Sequence, residues 1–258
     1  MDELGAISKE IEKTQVIVLA GGRAKRMGLI DKPKALLEIN GSTLIDETLY
    51  YLASCGFRDF RFLIGYRADE IKKHVGDGSK YGIKATYSIE PETIKGRAKA
   101  MKYALDNGKI DKGKRALICF PDDLFFDKRL PIRLLLQHLQ GVEERKILVT
   151  FLLTSGTNYP YGVAELNSEM LVTRFIEKPF IPQYTSTGQY IMEPEVFQRI
   201  EKEIDLNAKD SPELEHNILP ELAAEGKVQG MVIPSSVWHS VNTLKEKESI
   251  EKLLSKRK

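Results

Sequence analysis

The chain has 258 residues, of which 42% are hydrophobic and 29% charged, with a formal net charge of +2. That length supports one sizeable α/β core, and the near-balanced charge gives no global case for nucleic acid or an anionic membrane as partner. Two cysteines, Cys55 and Cys119, and four scattered histidines, His74, His138, His216 and His239, argue against a disulfide framework and a zinc site.

Residues 1–13 are polar and charged and lack the apolar core of a signal peptide, so they read as a short helix or loose tail before one domain spanning 14–258. No stretch approaches the roughly 20 apolar residues of a membrane span, and a soluble, cytoplasmic protein is expected. Val16 to Leu19 is a short β-branched run suited to a buried parallel strand, ended by Ala20-Gly21-Gly22. Asn40-Gly41 marks a turn, and a helix is expected from Thr43 to Ser54 with Leu44, Ile45, Leu49 and Leu52 on one face. Phe60 to Ile64 and Ile83 to Ile89 read as strands, separated by a helix that carries Ile71 and Val75 inward. Gly96 opens a helix with an alanine stripe, and Ala116 to Phe120 is a fourth strand. A helix over 131–139, a strand over 147–153, a hairpin opening at Tyr161-Gly162-Val163 and returning through 172–176, and a last helix over 243–254 complete the alternation. The pattern predicts a Rossmann-like α/β fold with a mixed, mainly parallel sheet, whose ligands collect in the loops after Leu19, Ile64, Ile89 and Phe120.

The chemistry concentrates between Val16 and Lys34. Two adjacent glycines remove the Cβ atoms that keep a ligand off the backbone, so main-chain N–H groups can face phosphate or a base. Arg23, Lys25, Arg26, Lys32 and Lys34 follow them. A G-x-G-x-x-G dinucleotide fingerprint is absent, as is the Gly-Lys-Ser/Thr triplet of a P-loop. Pro121-Asp122-Asp123 places carboxylates just past an apolar strand, where magnesium finds the one or two carboxylates it uses beside a nucleotide. Glu90 can accept a hydrogen bond from a ring N–H, which uracil, thymine and guanine offer and cytosine does not.

Leu19-Ala20-Gly21-Gly22, Arg26-Met27 and Pro33-Lys34 resemble the L-A-G-G-x-G-T-R-M…P-K signature of sugar-1-phosphate nucleotidyltransferases, with Ala24 and Lys25 standing where that family carries glycine and threonine. Gly96-Arg97-Ala98-Lys99-Ala100 resembles its base-reading G-T-A-G-A, and Pro121-Asp122 the P-D of its uridylyltransferase branch. Tyr161-Gly162-Val163 followed by Glu177-Lys178-Pro179, then Gly188-Gln189-Tyr190, and finally Val241-Asn242 resemble its Y-G-V, E-K-P, G-x-Y and G-V-N elements.

The resemblance implies the nucleotide-diphospho-sugar transferase fold without an attached β-helix domain. Its reaction joins a nucleoside triphosphate to a sugar 1-phosphate with loss of pyrophosphate. Arg26, Lys34 and Asp122 would be catalytic, and Leu19, Ala20, Gly21, Gly22, Lys25, Glu90 and Gly96 would hold the nucleotide. Tyr161, Gly162, Glu177, Lys178 and Tyr190 would hold the sugar phosphate, and Asp122 and Asn242 the Mg2+ ion. UTP and glucose 1-phosphate are the expected substrates, with dTTP or GTP and mannose 1-phosphate as alternatives, and homo-oligomerisation is left open. The departures at Ala24, Lys25, Arg97, Lys99 and Ser240, the last standing where thymidylyl- and guanylyltransferases carry the aspartate of W-x-D-x-G-T, also admit a regulatory subunit that binds sugar nucleotide without turnover.

Overall fold

A computed structural model describes residues 3–24 and 27–255. Seven strands form the central sheet in the order Val228–Ile233, Val149–Thr154, Thr185–Met192, Arg115–Cys119, Thr14–Leu19, Asp59–Ile64, Lys84–Ile89. Thr185–Met192 runs antiparallel to both of its neighbours, and all other pairings are parallel. The sheet is therefore mixed and mainly parallel. Reversal at that one strand leaves Val149–Thr154 parallel to Arg115–Cys119, so both end at the same edge as Leu19.

The β-branched run after Thr14 forms the sheet centre because both its faces are covered. Val16 and Val18 pack with Ile45, Leu49 and Leu134 on one side, while Ile17 packs with Ala98, Met101 and Phe197 on the other, each with no exposed surface. Burying each such side chain contributes about 1.5–3 kcal/mol. A smaller third core joins Ala24, Met27, Leu37 and Leu44 to Leu124, Val241 and Ile250, and anchors the glycine loop to the C-terminal helix Leu244–Ser255.

Local chemistry sets the boundaries of individual elements. Helix Leu44–Ser54 starts at Thr43, whose side chain accepts from the Asp46 N–H while Asp46 accepts from Thr43 in return, a reciprocal capping box. Residues 3–12, expected as a short helix or loose tail, are helix Glu3–Glu12, tied down by buried Ile11 and by an ion pair from Glu10 to Arg115 at 2.6 Å. The helix expected over 131–139 runs on as Leu130–Arg145. Among the described residues, no helix is long and apolar enough to cross a membrane.

Candidate active site

The glycine loop is a short ribbon. Strand Thr14–Leu19 ends where Ala20 N–H donates to Leu63 C=O at 3.0 Å. Arg23–Ala24 then pairs antiparallel with Leu29–Pro33, and Lys34 N–H donates to Gly22 C=O at 3.1 Å. This fold-back returns Lys34 to the mouth of the loop. A Cβ at Gly21 would stand in van der Waals contact, 3.4 Å from the Gly65 nitrogen and 3.7 Å from Glu90 Oε2. Lys25 and Arg26, expected on this loop, lie outside the described residues.

Lys34 is the meeting point of three segments. Its Nζ donates to Asp122 Oδ2 and, at 2.9 Å, to Asn242 Oδ1. Asn242 reaches this point because Asp123–Phe125 pairs with Trp238–Ser240, Ser240 opposite Asp123, and Val241 N–H donates to Asp122 C=O at 2.8 Å. The Asn242 amide is oriented by its own Nδ2, which donates to Ser240 Oγ, so its oxygen faces Lys34 and Ser240 stands one layer back. Asp122 and Asn242 thus present two hard oxygens that converge on one cationic centre, a donor pair that fits magnesium once phosphate and water complete the shell. Among the described residues no cluster of three His, Cys, Asp or Glu side chains offers a metal site.

Leu19, Ala20, Gly21, Gly22, Lys34, Glu90, Gly96 and Asp122 line one cavity of about 480 Å³. They come from the ends of three parallel strands, Thr14–Leu19, Lys84–Ile89 and Arg115–Cys119, and the loops that follow them, at the carboxyl edge of the sheet. Glu90 stands over Gly65, where a Cβ would lie 3.4 Å from its Oε2, and burial pushes its carboxyl up to about 7. Gly96 has φ +93°, and a Cβ there would lie 2.6 Å from Pro212 C=O.

The basic departures Arg97 and Lys99 hold the segment that presses on Gly96. Arg97 Nε donates to Glu213 Oε2 at 2.5 Å, its Nη2 lies 3.3 Å from Glu215, and its guanidinium sits 5.2 Å from the centre of the Phe120 ring. Lys99 is 2% exposed, and its Nζ donates to Ala208 C=O and, at 2.9 Å, to Asp210 C=O.

The sugar-side residues are not in this cavity. Tyr161 and Gly162 precede strand Val163–Leu166, and Glu177 and Lys178 follow its partner Val172–Ile176, so all four flank the base of one hairpin. That hairpin grows from the carboxyl end of Val149–Thr154, the same sheet edge as the cavity. Tyr161 is 68% exposed, Glu177 and Lys178 lie 3.6 Å apart in the open, and Gly162 is packed against the Phe175 ring.

Tyr190 departs from the expected sugar contact. It is 1% exposed and packs edge-on to Phe151, because in strand Thr185–Met192 its side chain points into the second core. Its hydroxyl has no hydrogen-bond partner among the described residues, and burial, with Glu215 nearby, pushes its pKa far up.

Of three further contributors, Arg23 and Asp123 stand in the basic run and the carboxylate pair read from sequence, and Glu213 was not singled out there. Arg23 is held 4.1 Å over the Tyr66 ring, Glu213 lines the cavity, and Asp123 accepts from Trp238 Nε1 at 2.9 Å. Burial, followed by the neighbouring Asp122, pushes the Asp123 carboxyl up. The doublet Asp122-Asp123 is visible in sequence, whereas Glu213 carries no local signal beyond its charge.

The fold resembles a crystal structure assigned as a glucose-1-phosphate thymidylyltransferase from Bacillus anthracis, with a TM-score of 0.69, 21% identity, and 93% and 94% of the two chains covered. In sequence the chain is 24% identical over 239 residues to the mannose-1-phosphate guanylyltransferase catalytic subunit beta of Drosophila pseudoobscura pseudoobscura, covering 90% of this chain. It is 28% identical over 232 residues to the glucose-1-phosphate thymidylyltransferase of Streptomyces antibioticus, covering 85% of this chain. It spans about 60% of the length of these two relatives. The profile of the Nucleotidyl transferase family matches residues 15–254, nearly the whole described chain, and the protein belongs to that family.

Proposed function

We propose that the chain transfers a nucleotidyl group from a nucleoside triphosphate to a sugar 1-phosphate, giving a nucleoside diphosphate sugar and pyrophosphate. One observation carries this reading: Lys34, Asp122 and Asn242 converge at the mouth of the cavity that Gly21, Gly22 and Glu90 line. An oxygen of the sugar phosphate bonds to the α-phosphorus, the α–β bridging bond breaks, and its electron pair leaves on pyrophosphate. Little covalent chemistry falls to the protein. Backbone N–H groups of the glycine loop would hold the phosphates, and Lys34 would place positive charge where it develops in the transition state. Bound by Asp122 and Asn242, Mg2+ would supply charge neutralisation on the phosphates. Lys34 must then leave the two oxygens for phosphate, an exchange of partners within reach of a long flexible side chain. Tyr161, Gly162, Glu177 and Lys178 are assigned to the sugar phosphate, supported by their common position at the hairpin base.

Glu90 favours a base with a ring N–H. UTP with glucose 1-phosphate is the pairing suggested by Pro121-Asp122 and Val241-Asn242, while the relatives' names bring in GTP with mannose 1-phosphate and dTTP with glucose 1-phosphate. Pyrophosphate release measured for each triphosphate and sugar phosphate tests the reading. Release with GTP, UTP or dTTP and none with CTP is expected. Binding without release in every combination would instead support the regulatory subunit.

A further inference from the structure

Glu90 is a carboxyl in a place that gives it no counter-charge. It ends strand Lys84–Ile89, where its N–H donates to Ile64 C=O at 2.8 Å, and its side chain lies against Gly21 and Gly65. Among the described residues no hydrogen bond or ion pair reaches its carboxyl. The cations around it are engaged elsewhere or stand off. Arg23 from the glycine loop lies over Tyr66, and Arg67 from the loop after Asp59–Ile64 is paired with Glu70. Arg97 on the following helix is paired with Glu213, and Lys34 across the cavity with Asp122. Glu92 and Lys95 flank it on its own loop.

We propose that the protonation state of Glu90 sets base preference, the ionised carboxylate selecting guanine and the neutral carboxyl selecting uracil or thymine. This rests on the reading of the cavity as the nucleotide site. The chemistry follows from hydrogen-bond complementarity. Guanine presents two adjacent donors, N1–H and the N2 amino group, which match the two acceptor oxygens of a carboxylate. Uracil and thymine present N3–H between two carbonyls, so a carboxylate that accepts from N3–H sets its second oxygen against a carbonyl oxygen. A neutral carboxyl accepts from N3–H through C=O and donates O–H to the base carbonyl.

Both forms are present near neutrality because burial raises the carboxyl to about 7. Below that value guanine binding expels a proton to the buffer, and above it uracil or thymine binding takes one up. Each pH unit beyond the crossover therefore weakens the mismatched base by about tenfold.

The test is binding of GTP, UTP and dTTP, each with magnesium, from pH 5.5 to 8.5 on the full chain. Protonation of the triphosphate and release of metal are common to all three, so they cancel in the ratios. The ratio of UTP to GTP dissociation constants should rise by at least tenfold across this range, and calorimetry in buffers of different ionisation enthalpy should show protons moving in opposite directions for the two. Glu90→Gln, whose amide offers one donor and one acceptor, should favour UTP and dTTP over GTP by about 10- to 100-fold with a flat pH profile. A ratio independent of pH in the parent, or a pH-dependent ratio retained in Glu90→Gln, overturns the proposal while leaving the nucleotide site standing. Failure of all three triphosphates to bind at any pH overturns both.

Discussion

Lys34 Nζ donates to Asn242 Oδ1 at 2.9 Å across 208 residues of sequence, and the same ammonium is held by Asp122. One cation from the N-terminal part therefore satisfies two oxygens, one from the middle of the chain and one from near its C-terminus. The arrangement ties the phosphate loop to the candidate metal ligands, so their functions can be separated by mutation.

Lys34→Ala should lower kcat by about 100- to 1000-fold while changing triphosphate affinity much less, because its charge matters most where charge develops. Steady-state and binding measurements on the same preparation check this. A variant with full kcat removes Lys34 from the mechanism.

Magnesium titrations rank the oxygen ligands. Asp122→Asn should be nearly inactive, since it deletes the anionic ligand of the proposed magnesium site, which an amide and phosphates would otherwise complete. Asn242→Ala should need more magnesium than the parent. Ser240→Ala should fall closest to the parent, because Ser240 touches the Asn242 amide rather than Lys34. Ser240→Ala as damaging as Asp122→Asn, with Asn242→Ala silent, would reverse the assignment.

Lys99→Met tests the segment over Gly96. It leaves the Ala208 and Asp210 carbonyls without their donor, a loss of about 1–3 kcal/mol in stability. The KM for triphosphate should rise with kcat largely kept, because the segment forms a wall of the cavity through Glu213. An unchanged KM in a destabilised variant would make Lys99 purely structural.

Gly96→Ala should be more damaging. A non-glycine residue at φ +93° is strained, and the new methyl would stand 2.6 Å from Pro212 C=O. A loss of about 2 kcal/mol or more is expected, lowering Tm by about 4–8 °C, and thermal unfolding measures it directly.

Acid unfolding probes Asp46. Burial raises its pKa, but hydrogen bonds from Thr43, Tyr81 and His74 outweigh that and hold it at about 2. A depressed carboxyl stabilises the fold above its unfolded value near 4, and that stabilisation disappears as pH falls toward 2. The stability difference between the parent and Asp46→Asn should therefore be largest above about pH 4 and shrink between 4 and 2. A difference that stays constant through that window would mean the network does not depend on the charge.

Much of the fold was legible because its signals are local. The β-branched run before Gly21-Gly22, the apolar face of residues 44–54 and the turn at Asn40-Gly41 each specify backbone geometry through their own side chains, and each is found where expected. Motif order likewise brought the glycine loop, Glu90, Gly96 and Asp122 to one cavity, since successive parallel strands deliver their following loops to one edge.

Other features depend on pairing partners that local pattern does not name. Residues 34–39 form a turn of 3-10 helix, Lys34–Leu36, and then strand Glu38–Ile39, which exists as a strand through its pairing with Ser42–Thr43. Tyr190 reads as a site tyrosine from its motif, but the face it occupies on the antiparallel strand buries it in the core. Arg97 and Lys99 stand out in sequence only as basic departures from the G-T-A-G-A pattern, and their role of holding residues 208–215 shows only once that segment is folded against them. Sequence by itself located the first four strands of the sheet, the helices between them and the ligand loops that follow the strands. Only tertiary structure decided that Asn242, rather than Ser240, faces Lys34, because that choice rests on the register that sets Ser240 opposite Asp123 and carries the chain on two residues to Asn242 beside Lys34.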